Sequence, residues 1–505
     1  MHAGAVRESA RTTFRNPVIA GDHGTDHGDP FVIKHLDSFY LYHSGETAGR
    51  RGISVHRSPN LVDWEFQGYA LEPAESGWAW SDLWAPEVVY ERGTFYMYFS
   101  ATRKWTHEGP ATQWQQGEGD DGARRLGIAR ATSPVGPFVP DERPLLDSWS
   151  IDGHPFRDDD GTMWLFYNVL TEELGIDALR GTGTVCDRLV APDRLAGRPT
   201  PVTLPSEAWE GVPTGDWYWN EAPYVLKRRG RYYQMYSGGA FADATYGIGL
   251  AEAPTVRGPW QKNPENPVVR SRGGILGPGH HSFVFGPDAA TPYAVYHGYV
   301  DGDPGRKVHI DRLYWVGDRP HIEGPTDGDQ DVPPSGVFER DIPHWRAETW
   351  VKGSWVEVGG TRFGLGPSDV WHQVEVSQSD WRFAVRVGGV LRASQPGIPA
   401  AGMFRSDGDV VSTTLTSYLE DGGLHDLPAG SSYAWRWGGR GRLELTAAVK
   451  GTVEVAFDGA SQVLEGDRER FRLVRVTDDG PSESIVLTAN GDGATITDLT
   501  VRARG

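Results

Sequence analysis

Apolar and polar residues exchange along this chain with a period of two over short runs, and no stretch sustains the 3.6-residue period of an amphipathic helix. The pattern predicts strands throughout. Five runs share one design, aromatic and aliphatic residues in alternation closing on a small or polar one: FYLYHS from Phe39, FYMYFS from Phe95, MWLFYN from Met163, YYQMYS from Tyr232 and YAVYHG from Tyr293. Their starts lie 56, 68, 69 and 61 residues apart. Each is preceded by a turn signal and another apolar run, such as VIKHLDS before the first and VLKRRGR before the fourth, which makes a hairpin. Most copies are followed by a third strand and a Pro or Gly turn, as in GISVHRSPNLVDW from Gly52 and GIGLAEAPTVRGPW from Gly247. A unit of ~60 residues with three or four strands cannot bury both faces of its sheet alone, and packing such units around an axis solves this. The repeats therefore predict a five-bladed β-propeller over residues 14–325, after an N-terminal tail at 1–13.

From Glu323 the composition turns to Gly, Pro and Asp, as in EGPTDGDQDVPPSG, which predicts a linker at 326–341. Beyond it short alternating runs such as WVEVGG, WRFAVRVGG and TVEVAF are punctuated by Gly and Asp. They predict an antiparallel β-sandwich, jelly-roll-like, over 342–505. The fold class is all-β. A polar, Gly-rich stretch from His107, HEGPATQWQQGEGDDGARR, reads as a long loop on one propeller face.

Charge and composition narrow the function. The 505 residues carry 49 basic against 68 acidic side chains, a net charge of −19, so nucleic acid and anionic membrane are poor partners. The apolar runs fall short of the ~18 residues that span a bilayer, and the first residues carry no apolar leader. The expectation is a soluble protein, cytoplasmic as it stands and secreted if a leader has been removed. The single cysteine, Cys186, makes neither an internal disulfide nor a zinc-ligand set and reads as a small buried residue. The 20 Trp, 19 Tyr and 18 Phe supply flat faces with a polar edge, which suit sugar rings, and a carbohydrate partner follows. Oligomeric state is left open.

In a propeller the residues just before the first hairpin strand converge near the axis. At that place the five copies read HGDPFVI, WAPEVVY, DGHPFRD, NEAPYVL and GHHSFVF. They offer three carboxylates, Asp29, Asp152 and Glu221, with Trp84 and Glu87 in the second copy and His280 and His281 in the fifth. Three carboxylates in one pocket repel, so their pKa values are driven apart, as general acid and base work requires. Cleavage of a glycosidic bond needs such a pair, an acid for the leaving oxygen and a carboxylate that activates water or attacks the sugar. Trp84 and Trp219 are candidate sugar platforms and Glu87 a further substrate contact. Asp158, Asp159 and Asp160, before Gly161, fit a hairpin turn. A non-catalytic carbohydrate-binding propeller is the competing class, and it has no use for three acids.

The ordered motifs NPVIAGDHGTDHGDPFVI, WAPEVVYERGTFYMYFS, IDGHPFRDDDGTMWLFYN, NEAPYVLKRRGRYYQMYS and GPGHHSFVFGP resemble those of glycoside hydrolase family 43 over about 300 residues. The resemblance implies cleavage with inversion, Asp29 as general base, Glu221 as general acid, and Asp152 as the residue that orients the acid and raises its pKa. It implies that His280 lies near the channel centre beside a water-coordinated calcium or a halide ion not required for the chemistry, and that Arg306 contacts substrate. Gly28 stands where the family commonly has Pro or Ala before the base. An exo-acting α-L-arabinofuranosidase is the leading expectation, with β-xylosidase, galactosidase or endo-arabinanase as alternatives.

Overall fold

Every aromatic repeat is the second strand of an antiparallel sheet. In the computed structural model, which describes residues 12–47, 50–73, 78–103, 124–176, 179–316, 319–335, 344–379, 382–396, 404–437, 441–457, 460–477 and 483–504, five such sheets follow one another. The first runs His27–His35, Ser38–Thr47, Ile53–Ser58, Glu65–Leu71, and the second Ala79–Glu91, Thr94–Arg103, Arg124–Ala131, Val139–Pro140. In the third, Ile151–Arg157 and Met163–Leu170 lead to Thr182–Ala191, which pairs with both Arg194–Leu195 and Thr200–Thr203. The fourth runs Glu221–Arg228, Arg231–Gly238, Gly247–Ala253, Gln261–Lys262, and the fifth Ile275–Phe285, Pro292–Val300, Arg306–Val316, Arg319–Ile322. Helix is confined, among the described residues, to two short 3₁₀ turns, Thr171–Leu174 and Ala208–Glu210. No helix among them is long and apolar enough to cross a membrane.

The second strands are buried on both faces, which is why aromatic and aliphatic residues follow one another along them with little polar interruption. Apolar side chains join neighbouring sheets: Tyr42 and Val55 with Val88 and Met97, Tyr98 and Ile128 with Leu165 and Val185, Phe156 and Phe166 with Val225 and Tyr232. Leu41 and Val32 of the first sheet share a cluster with Val295 and Ile310 of the fifth. Tyrosine hydroxyls latch across the seams, Tyr42 donating to the Pro134 carbonyl at 2.5 Å and Tyr98 to that of Pro192 at 2.7 Å. Cys186 is fully buried, and burial pushes its thiol pKa up to about 12. Asp158 occupies the expected hairpin turn and also takes an ion pair from Lys227 of the next sheet.

Two compact units emerge, one of residues 1–284, 293–312 and 322–332, the other of 285–292, 313–321 and 333–505. The stretch expected as a linker holds a strand at Gln330–Asp331, paired with Thr13–Phe14. Residues 336–341 of that stretch, most of the N-terminal tail and the loop from His107 through Ala123 lie outside the described residues. The second unit contains a nine-stranded and a three-stranded antiparallel sheet, joined by a cluster that includes Trp345, Val374 and Val385 with Val356 and Val358. Its strands reach 17 to 22 residues, longer than the short runs expected. The Gly-rich points that looked like turns are bulges inside them, between Asp421 and Leu424 and between Gly451 and Thr452.

Three histidines are buried side by side on adjacent strands of the first sheet. His43 Nδ1 donates to the Ser44 carbonyl at 3.0 Å, so its Nε2 is an acceptor in the neutral ring, 3.3 Å from His27 Nδ1 and 3.1 Å from His56 Nε2. Burial lowers their pKa values to about 3 for His27, 4 for His43 and 2 for His56. The unfolded chain protonates such rings below about 6.5 and the folded one does not, so their contribution to stability is present above that pH and is lost as pH falls toward 4. Replacing one, as in His56→Phe, should flatten the fall in unfolding free energy between pH 6.5 and 4 by up to about 1.4 kcal/mol per pH unit. Denaturant titrations across that range check it, and parallel slopes for parent and variant would contradict it.

Candidate active site

The first strand of four of the five sheets breaks its ladder at the same place. Register shifts fall between Gly28 and Phe31, Trp84 and Glu87, Ile151 and His154, and Glu221 and Tyr224. Inside these bulges Asp29 (φ 55°), Ala85 (48°), Asp152 (55°) and Ala222 (50°) are left-handed, as is His280 (44°) in the fifth sheet. Left-handed backbone is rare and strained outside glycine, and five instances at one structural position mark a built site. Three of the bulge N–H groups are caught by a polar residue at the end of an aromatic repeat, the last residue in two copies and the last but one in the fifth. Asp152 donates to Ser100 Oγ at 3.0 Å, His280 to Ser237 Oγ at 2.9 Å, and Asp29 to His297 Nδ1 at 3.1 Å. Ala222 donates instead to Asp152 Oδ2 at 3.0 Å. The bulges place Asp29 and Asp152 at equivalent positions and Glu221 one residue earlier than its equivalent.

These strands converge on a pocket of about 300 Å³ that brings together Asp29, Asp152, Glu221, Trp84, Trp219, His280 and Arg306. Glu87 is the exception among the expected residues. It lies two positions past its bulge residue, off the pocket, with Oε2 2.6 Å from His154 Nδ1, while His154 Nε2 accepts the Val225 N–H at 3.1 Å. It ties the second, third and fourth sheets and does not face the space where a ligand would sit. The pocket also holds Asp26, Asp82, Arg124, Phe241 and Tyr246, which are not among the expected site residues. The first two flank expected residues, whereas Arg124, Phe241 and Tyr246 stand outside the repeated motif, which gives no signal for them.

The carboxyl groups occupy opposite electrostatic settings. Burial works to raise the Asp29 pKa, but the Arg306 guanidinium, followed by His280 and His297, holds it well below the usual carboxylate range. Arg306 Nη1 donates to Asp29 Oδ1 at 2.9 Å, His280 Nδ1 lies 3.2 Å from the same oxygen, and Ser44 Oγ donates to Oδ2. Arg306 is itself gripped by Asp26, Nε to Oδ1 at 2.8 Å and Nη2 to Oδ2 at 2.6 Å. A Cβ on Gly28 would lie 2.0 Å from the Arg306 guanidinium carbon, so only glycine leaves room for this arginine. For Glu221 and Asp152 burial outweighs the neighbouring cations. Burial raises the Glu221 pKa to about 7, with Asp29 adding to the rise and a 2.7 Å hydrogen bond from the Tyr246 hydroxyl opposing it. Burial likewise lifts Asp152 to about 7, helped by Glu221 and Asp29 and opposed by His280. The pocket thus pairs an ionised carboxylate with two carboxyls able to hold a proton near neutrality.

Among the described residues no group of three or more His, Cys, Asp or Glu side chains is arranged to hold a metal ion. His281, with both ring nitrogens buried and lacking a hydrogen-bond partner, offers a seat for water.

The sequence profile of glycosyl hydrolases family 43 matches residues 14–319. An extracellular exo-α-(1→5)-L-arabinofuranosidase of Streptomyces avermitilis is 25% identical over 389 residues, covering 70% of this chain and 73% of the relative. A β-D-galactofuranosidase of Aspergillus niger is 26% identical over 335 residues, 61% of this chain and 84% of that one. The crystal structure of a thermostable family-43 glycoside hydrolase shares 37% identity at a TM-score of 0.55, covering 64% of this chain and all of that one. With its matched region spanning all five sheets and all the pocket's acids, the chain belongs to glycoside hydrolase family 43.

Proposed function

We propose that this protein is an exo-acting, inverting glycosidase that removes arabinofuranosyl residues from the ends of oligosaccharide or polysaccharide chains. Its five sheets are then the blades of a propeller, and residues 342–505 an accessory β-sandwich. The observation that carries the reading is the split among the buried carboxyls, Asp29 far below its ordinary range and Glu221 raised to about 7. Protonated Glu221 gives its proton to the glycosidic oxygen as the C1–O bond breaks. Ionised Asp29 takes a proton from the water that attacks C1 on the opposite face. Asp152 accepts the N–H of Ala222, beside the acid, and so fixes its strand. Its proximity also keeps the proton on Glu221, because two adjacent carboxylates resist ionising together.

A pocket of about 300 Å³ is at the small end of ligand sites, which favours one terminal sugar over an internal stretch of chain. Furanose specificity is supported by the relatives' names. β-D-Galactofuranose has the ring configuration of α-L-arabinofuranose and differs at the exocyclic carbons, so the two substrates present one ring to one kind of pocket. Among nitrophenyl glycosides, the α-L-arabinofuranoside should give the highest kcat/KM, ahead of the β-D-galactofuranoside and β-D-xyloside. A xyloside in first place would make the protein a β-xylosidase instead.

The roles separate by leaving group. Glu221→Ala should lose about 10²- to 10⁴-fold on natural glycosides, whose alkoxides need protonation, and far less on a dinitrophenyl glycoside. Asp29→Ala should lose activity on both. Equal losses for the Glu221 variant on both substrates would refute its role, and full activity in both variants would favour a non-catalytic sugar-binding protein.

Asp26 acts at one remove, through Arg306. Asp26→Asn breaks the bidentate grip, and an arginine no longer aimed at Asp29 lets the base's pKa rise. The acidic limb of the kcat/KM profile should move to higher pH. Removing a negative charge beside Asp29, with Arg306 staying in place, would move it the other way, so a shift to lower pH contradicts the positioning role.

A further inference from the structure

Tyr246 directly precedes the strand Gly247–Ala253 and is only 1% exposed, although it carries a hydroxyl. Its ring lies nearly parallel to that of His297, with centres 5.5 Å apart and planes 4° from parallel. A Cβ on Gly279 would lie 2.1 Å from its Cε1, so the backbone before His280 comes close against the ring as well. A ring packed in this way holds its hydroxyl to one direction. That direction is Oε1 of Glu221, at 2.7 Å.

A phenol can donate or accept, and burial decides between the two. An O–H group sealed from water needs an acceptor, and the Glu221 oxygen is within reach. Burial, and after it the charge of Glu221, keeps the Tyr246 pKa well above the ordinary phenol range, so the hydroxyl retains its proton. A protonated carboxyl has one carbonyl and one hydroxyl oxygen, and the carbonyl is the stronger acceptor. A donor fixed on Oε1 therefore leaves the acid's own proton to Oε2.

Resting on the assignment of Glu221 as the acid, we propose that Tyr246 is a positioning residue, which keeps the transferable proton on Oε2 and steadies the carboxylate left after the transfer. The proton passes from Oε2 to the glycosidic oxygen, which takes the electron pair of the breaking C1–O bond, and Glu221 is left ionised. A hydrogen bond to an ionised acceptor is roughly twice as strong as one to a neutral acceptor. The bond from Tyr246 thus strengthens as the proton leaves, and an interaction stronger in the transition state than in the ground state speeds the reaction.

The test is Tyr246→Phe, which removes the hydroxyl and keeps the ring on His297. On a natural glycoside, whose alkoxide needs protonation, kcat/KM should fall roughly 10- to 100-fold, the loss of a hydrogen bond to a charged group. On the dinitrophenyl glycoside of the same sugar it should stay within about 3-fold of the parent, which also shows the variant to be folded. The pH profile on the natural glycoside reads the direction of the bond. A donor favours the ionised carboxyl, so its loss raises the pKa and should move the alkaline limb to higher pH. A tyrosine that accepted the acid's proton would favour the neutral carboxyl, and its loss would move the limb the other way. Asp29, Asp152, Arg306 and Arg124 also act on Glu221, Asp29 and Asp152 act on Tyr246 too, and all stay in the variant. Glu221 and Asp152 titrate as a pair, so the limb belongs to both. A limb that stays or moves to lower pH, or equal losses on the two substrates, would overturn the placement. Glu221→Ala runs beside it in the same assays. A leaving-group split in Glu221→Ala with none in Tyr246→Phe would overturn the placement alone, whereas equal losses in Glu221→Ala would overturn the acid assignment and the placement with it.

Discussion

A carboxylate cannot stay ionised in a buried pocket shared with other acids unless a cation is fixed beside it. The ion pair between Arg306 and Asp29 meets that requirement, and much of the first and fifth sheets is arranged around it. Arg306 is held by Asp26, and Asp26 is held by its loop. Lys307 donates to the Asp22 and Thr25 carbonyls at 3.2 and 2.9 Å, and Asp303 takes the Gly24 N–H at 2.9 Å. Gly28 leaves the space through which the guanidinium reaches Asp29. A glycine before the base is thus the counterpart of an arginine far along the chain, and substituting either alone would unbalance the other.

The same pocket needs a second carboxyl in the opposite state, and burial that outweighs the neighbouring cations supplies it. Glu221 accepts a hydrogen bond from a neutral donor, the Tyr246 hydroxyl, at 2.7 Å. Tyr246 in turn stacks on His297, with ring centres 5.5 Å apart, and His297 receives the N–H of Asp29. Base and acid are therefore joined through two neutral rings, which set their spacing without adding charge that would blur the difference between them.

How far the sequence revealed this follows from what a repeat can carry. Five aromatic runs at near-constant spacing showed five hairpins, and position within the repeat is enough to point to Asp29, Asp152, Glu221, Trp84 and His280, which line one pocket. Position could not tell which way a side chain turns after a bulge, so Glu87 was read into the pocket, whereas the register shift turns it to His154. The shift depends on backbone conformation, and Ala85 and Ala222 carry no residue signal for the left-handed state they adopt. Arg124 and Tyr246 escaped notice because they stand outside the repeated motif, each tied to the pocket only by tertiary packing. In the second unit, glycines that break an alternating pattern look the same whether the chain turns or bulges, and there the strands ran through.

The polar residues at the ends of three aromatic runs also gain a reason. Ser100 and Ser237 end largely buried runs and His297 stands one residue before the end of its own, and each catches the N–H of the left-handed residue of another sheet. Backbone in that conformation is strained and needs a fixed partner to persist. One strand therefore serves both ends of the argument, its aromatic residues packing the sheets and its last polar residue setting the angle at which a neighbouring sheet delivers its side chain to the pocket. The strain of the bulges is in this way offset by the packing that holds the catching side chains still, and rigidity of the site follows from burial of the repeats.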